Sequence, residues 1–114
     1  ACSGPANSVA PSDQARVCRA AIGSVMGRDP AIIRASVDSD GLVRVEYIRP
    51  DDRKLFAYKC RLEGTRVVWG NADGRWRNDS QDSVITFALL GSAVSIIEKW
   101  PDGSSTENTF DIPP

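Results

Sequence analysis

Apolar and polar positions alternate most regularly between residues 42 and 69. There the chain reads Leu-Val-Arg-Val-Glu-Tyr-Ile-Arg, then Pro-Asp-Asp-Arg-Lys, then Leu-Phe-Ala-Tyr-Lys-Cys-Arg-Leu, then Glu-Gly, then Thr-Arg-Val-Val-Trp. A period of two marks a strand with one buried face, so this stretch predicts strand, loop, strand, tight turn and strand. Val43, Val45 and Tyr47 share one face of the first strand, and Phe56, Tyr58, Cys60 and Leu62 share one face of the second. With Glu63-Gly64 as a two-residue turn, Leu62 pairs with Thr65, Arg61 with Arg66, Cys60 with Val67 and Tyr58 with Trp69.

Upstream the apolar spacing becomes helical. From Asp13 to Met26, residues Ala15, Cys18, Ala21, Ile22 and Val25 recur on one side, and Arg16, Arg19 and Ser24 fall on the other. Ser12 is the expected N-cap, Asp13 suits the first turn, and Gly27 with Pro30 behind it marks the stop. Residues 31–37 read as a strand, followed by a turn at Asp38-Ser-Asp-Gly41. Beyond Trp69 come a turn at residues 70–74, a short Arg75-Trp76-Arg77 segment and a polar loop at 78–82. Strand patterns follow at 83–89, 93–100 and 104–110.

One helix and about seven strands joined by short turns leave no room for crossover helices, which excludes a parallel sheet. The expected fold is α+β, an N-terminal helix packed on a curved antiparallel β-meander. The alternative is a small β-barrel with the helix plugging one end. Residues 1–11, rich in Ser, Pro, Ala, Gly and Asn, read as a flexible N-terminal tether, and residues 12–114 as a single α+β domain.

Composition narrows the picture. A chain of 114 residues with 41% hydrophobic content has one modest core, and its apolar runs fall far short of the ~18 residues of a membrane span. Of three cysteines, Cys18 lies on the apolar side of the helix pattern and Cys60 on the inward side of a strand pattern. Two such cysteines, with no Cys-x-x-Cys spacing, favour a disulfide closing a long loop over a metal site or two reduced core thiols. Such a disulfide places the chain outside the cytosol. Cys2, between Ala1 and Ser3-Gly4, stands in a stretch that resembles the tether of a bacterial lipoprotein, and the resemblance implies lipidation there as the chain's only membrane attachment.

The chain has no histidine. That rules out Ser-His, Cys-His and His-metal arrangements together with the commonest general base near neutral pH. The pairs Asp38 with Asp40 and Asp51 with Asp52 are what remains for a carboxylate-based hydrolase or for calcium. Both pairs stand in turn sequences, where Asp is expected for backbone reasons, and neither continues into a calcium loop. Neither a phosphate-binding glycine loop nor a cofactor motif is present. The reading is therefore of a non-enzymatic domain with no metal and no cofactor.

Charge supplies the candidate binding residues. Residues 44–77 carry nine basic and five acidic side chains, and residues 78–114 carry one basic and six acidic. Such asymmetry either polarises the surface or is neutralised by pairing between the two halves. The outer face of the middle strands presents Arg44, Lys59, Arg61 and Arg66, and Trp76 stands between two arginines, as a binding anchor or, the reading preferred, as the core residue of an edge strand. This face is the candidate contact for a protein with an acidic surface. Nucleic acid is disfavoured by the overall net charge of −1, the expected disulfide and the lack of a recognition motif.

Cys-Arg-Ala-Ala-Ile at 18–22, Tyr-Lys-Cys-Arg at 58–61 and Val-Val-Trp at 67–69 resemble small exported domains of unassigned function in proteobacterial periplasmic proteins and lipoproteins. The resemblance implies a periplasmic or lipid-anchored cell-envelope protein. The Tyr-x-Cys strand is also similar to that of periplasmic lysozyme-inhibitor lipoproteins. The inhibitory loop of that group has no counterpart here, so inhibition stands as an alternative to general protein binding.

Overall fold

In the computed structural model, which describes residues 10–113, the period-two stretches become strands and the helical stretch becomes one helix. The order is α1 (Pro11–Met26), a 3-10 turn (Pro30–Ile32), β1 (Ile33–Val37), β2 (Val43–Ile48), β3 (Leu55–Glu63), β4 (Arg66–Asn71), β5 (Val84–Leu90), β6 (Ala93–Lys99) and β7 (Ser105–Asp111). The seven strands form one antiparallel sheet in chain order. The sheet curls into a half-barrel, and α1 lies in its hollow, touching every strand. The α+β meander is thus the fold, and the closed barrel is not formed, since β1 and β7 remain separate edges.

The core forms where the inner residues of the sheet meet the helix. Val43, Val45, Cys60, Val67, Ile85 and Ile96 are almost wholly buried, as are Val17, Cys18 and Ile22 of α1. Burying each large aliphatic side chain contributes about 1.5–3 kcal/mol. Cys18 and Cys60 are joined by a disulfide with its sulfur atoms 2.06 Å apart, tying the helix to the middle of the sheet.

The helix departs from the sequence reading in two ways. Ser12 is not the cap: α1 begins at Pro11, Ala10 takes the N-cap position without a side-chain bond, and Pro11, counted in the expected tether, is helical. Proline suits the first turn, whose N–H groups lack helical partners anyway. The rest of the expected tether, residues 1–9, and Cys2 lie outside the described residues. Arg16, expected on the polar side, is buried at 5% exposure. A curled sheet covers more than half of the helix circumference, and Arg16 lies within the covered arc. Its guanidinium donates to the carbonyls of Ile112 (2.6 Å) and Gly91 (2.7 Å) and pairs with Asp13 (2.8 Å). Arg19 does the same at the opposite sheet edge, donating to the carbonyls of Ile33 and Pro30, each at 2.9 Å. Arg16 thus ties α1 to the β5–β6 turn and the end of β7, and Arg19 ties it to the 3-10 turn and the start of β1.

The β3–β4 hairpin turns one residue later than the sequence reading placed it. Its loop is Gly64-Thr65, so Glu63 pairs with Arg66, Leu62 with Val67, Arg61 with Val68 and Cys60 with Trp69. Gly64 has φ +63°, which a glycine in the first loop position adopts readily, whereas the expected turn would have forced Glu63 into that region. Each residue meets a partner two positions from the expected one, so the inward and outward assignments survive.

Candidate functional site

The outer face of β2, β3 and β4 carries the residues that charge had singled out. Pleating sends Arg44, Glu46 and Ile48 of β2 outward, with Leu55, Ala57, Lys59, Arg61 and Glu63 of β3 and Arg66, Val68 and Gly70 of β4. The register sets Arg44 opposite Lys59 and Ile48 opposite Leu55. Ile48 and Leu55 are 49% and 55% exposed, an apolar pair farther along the same face, beyond the Glu46–Ala57 rung.

Trp76 is built into this face by Gly70. β5 pairs with β4 only at Arg66 and Val67, so the far end of β4 is free to take another neighbour. Trp76 forms an isolated bridge to Gly70, and the Arg77 N–H donates to the Trp69 carbonyl at 2.7 Å. A side chain at position 70 would put its Cβ 2.4 Å from the Arg75 carbonyl oxygen, so only glycine admits this approach. The indole reaches across β4, over the buried Gly70 and Val68, to β3. There the Lys59 ammonium stands 4.7 Å and the Arg61 guanidinium 4.3 Å from the ring centroid. Lys59 also donates to the Gly74 carbonyl at 2.6 Å, fixing the loop that bears the tryptophan. Trp76 is therefore neither the core residue of an edge strand nor a free anchor, but a half-buried ring held by two cations.

Two clefts adjoin the indole. One, of about 500 Å³, is lined by Gln14, Asp40, Gly41, Leu42, Arg61 and Trp76 among others. The second, of about 400 Å³, includes Arg44, Glu46, Ala57, Lys59 and Trp76 in its lining.

Acids on the same strands and turns hold the cations in place. Arg44 pairs with Asp38 at 3.1 Å, Arg61 with Glu63 at 2.7 Å, and Arg34 at the sheet edge with Glu46 at 3.3 Å. Exposed pairs of this kind contribute about 0–1 kcal/mol, so an incoming carboxylate can exchange with them. The expected Arg61–Arg66 rung is absent, because Arg61 faces Val68 and Arg66 faces Glu63. The like-charge rung is Arg44 opposite Lys59, whose charges are drawn apart toward Asp38 and Trp76. Arg66 is half-buried, one rung from the indole, and its Nε is buried without a hydrogen-bond partner.

The carboxylate pairs are occupied by turn chemistry. Asp40 accepts from the Leu42 N–H at 3.1 Å, and Asp38 is held by Arg44. Asp52 bonds Arg49 and the Lys54 N–H, and the Arg49 guanidinium holds its carboxyl well below the usual range. No group of three or more candidate metal ligands occurs among the described residues.

Because the strands follow chain order, the charge asymmetry is also spatial. The basic residues 44–77 form β2–β4, and the acidic residues 78–114 form β5–β7. Among the described residues a single ion pair, Arg75 with Asp82 at 2.9 Å, joins the two halves. The surface is polarised rather than neutralised across the sheet. Comparison of the chain with protein-family models, with curated proteins and with solved structures gave no match.

Proposed function

We propose that this chain is a non-enzymatic domain of the cell envelope that binds a protein with an acidic surface through the outer face of β2–β4. The observation that carries the reading is the Trp76 indole held between Lys59 and Arg61 and flanked by clefts, with the exposed Ile48–Leu55 pair farther along the same face. A half-buried indole that fixes two cations, an apolar patch and exchangeable ion pairs suit a protein partner, since a polyanion alone has no use for the apolar pair. Arg44 extends the cationic surface, and Arg66 is its outlying member. Placement outside the cytosol is supported by the buried Cys18–Cys60 disulfide, a linkage that persists in oxidising compartments.

The test is affinity capture from an envelope extract on the immobilised oxidised chain, compared with the double variant Lys59→Gln, Arg61→Gln. An acidic protein retained by the wild type, released several-fold more easily by the variant and by added salt, is the expected result. Retention that neither the substitutions nor salt alters would remove the outer face from the account.

A further inference from the structure

The concave side of the same three strands carries a second arrangement of rings and cations, separate from Trp76. Tyr47, Phe56, Tyr58 and Trp69 form a row just beyond the end of α1. Ring centroids are 5.4 Å apart for Tyr47–Phe56, 6.2 Å for Tyr47–Tyr58 and 5.8 Å for Tyr58–Trp69. The Tyr58 hydroxyl donates to the Met26 sulfur at 3.6 Å, tying the row to the last helical turn. Over these rings stand Arg28 (5.9 Å from Tyr47), Arg49 and Lys54 (4.9 and 5.4 Å from Phe56) and Arg77 (5.3 Å from Trp69). Cation–ring contacts of this kind occur about once per 70–80 residues, so four on one rim is a concentration that packing alone does not require.

Arg49 is committed to Asp52. Arg28, Lys54 and Arg77 have no acid bonded to their side chains among the described residues; Asp82 feels the charge of Arg77, but its oxygens bond Arg75.

An independent feature lies beside the row. β2 pairs with β3 from Leu55 onward, but β4 reaches only as far as Tyr58 opposite Asn71. Beyond it the Ala72 N–H still donates to the Ala57 carbonyl at 3.2 Å, and Phe56 faces Tyr47 of β2, so the backbone of β3 at Leu55 is left without a strand neighbour on that side. A cleft of about 490 Å³, lined by Leu55, Phe56, Tyr58, Asn71 and Asp73 among others, opens along it.

We infer that this edge and its cationic rim take an extended acidic peptide segment of the partner, which bonds the free backbone of Leu55 and lays its carboxylates along the rim. The inference rests on the acidic-partner reading above and specifies a second contact for it. Main-chain bonds to a free edge supply register-independent attachment. The cations without an acid partner, Arg28, Lys54 and Arg77, supply the charge that the carboxylates of such a peptide meet. Asp73 is the one acid in the cleft lining and opposes such a ligand. Single-stranded nucleic acid fits less well, because stacking needs open ring faces and Tyr47 and Tyr58 are only 5% and 7% exposed.

The experiment is fluorescence anisotropy of a labelled decaglutamate peptide with the oxidised wild type at low salt, folding of each variant being checked by circular dichroism. Binding should weaken about tenfold in the triple variant Arg28→Gln, Lys54→Gln, Arg77→Gln, a few-fold for each exposed contact. It should stay within about twofold in Lys99→Gln, an exposed cation of β6 away from both basic faces, and tighten in Asp73→Asn. A triple variant that binds like the wild type overturns the inference, as does a wild type that ignores the peptide. So does displacement by a sulfated oligosaccharide or oligo-dT at lower concentration than unlabelled decaglutamate. Loss confined to Lys59→Gln, Arg61→Gln would sink the rim while leaving the outer-face reading standing, whereas the envelope capture judges that reading by itself.

Discussion

At Gly70 the missing side chain lets the Arg75 carbonyl come within a distance that any Cβ would forbid, and Trp76 follows from that approach. The substitution Gly70→Ala should therefore push the 74–77 segment off β4, at a cost of about 1–3 kcal/mol from overpacking. The indole would leave Lys59 and Arg61, and its fluorescence emission should shift to the red. Unchanged emission with unchanged urea midpoint would show that the segment is held elsewhere. Tyr58 offers a different probe. Burial first, and the neighbouring Tyr47 hydroxyl second, favour its neutral phenol and push it up to about 12, against about 10 in an unfolded chain. The unfolded state then releases its proton first. The stability that Tyr58 contributes is complete below pH ~10 and is lost as pH rises from ~10 toward 12. Urea midpoints should fall over that range, and less steeply in Tyr58→Phe; an equal decline in both would assign the effect to other groups.

Among the elements, the strands of the meander were legible because each carries its own alternation, and the inward faces of β2 and β3 lie where the pattern put them. What local pattern does not encode is the register of β3 on β4. A one-residue displacement of the turn keeps every face assignment, so periodicity cannot detect it, and only the backbone demand at Gly64 decides it. The helix shows the converse. Its period is visible, but the width of its buried arc depends on how far the sheet curls, so Arg16 was placed in solvent although its guanidinium satisfies two carbonyls at the sheet edge. For the same reason the pairing of Trp76 with Gly70 escaped sequence reasoning, since it depends on β5 diverging from β4 after Val67. Cysteine placement was readable, because both positions lie on apolar faces. The Cys18–Cys60 bond spans 42 residues and, in the chain-entropy account, contributes about 4 kcal/mol. Refolding from urea with reductant should lower the unfolding midpoint correspondingly, and coincident curves for oxidised and reduced chains would contradict the stapling role.

For the whole molecule, chain-order pairing turns a charge difference along the sequence into a difference between two halves of a sheet. Among the described residues the basic half supplies the ring of all six cation–ring contacts, on both of its faces, and the cation of five, and a single ion pair links it to the acidic half. Such a distribution orients an acidic partner before contact and weakens as salt shortens the Debye length to about 8 Å at physiological ionic strength. The measurement that tests this most directly is amide and indole shift mapping by NMR of the oxidised chain, titrated with its captured partner at low and at high salt. The account predicts that the Trp76 indole N–H and the amides of β2, β3 and β4 move at low salt, that β5, β6 and β7 stay still, and that the shifts shrink at high salt. Shifts centred on β5–β7, or shifts indifferent to salt, would contradict it.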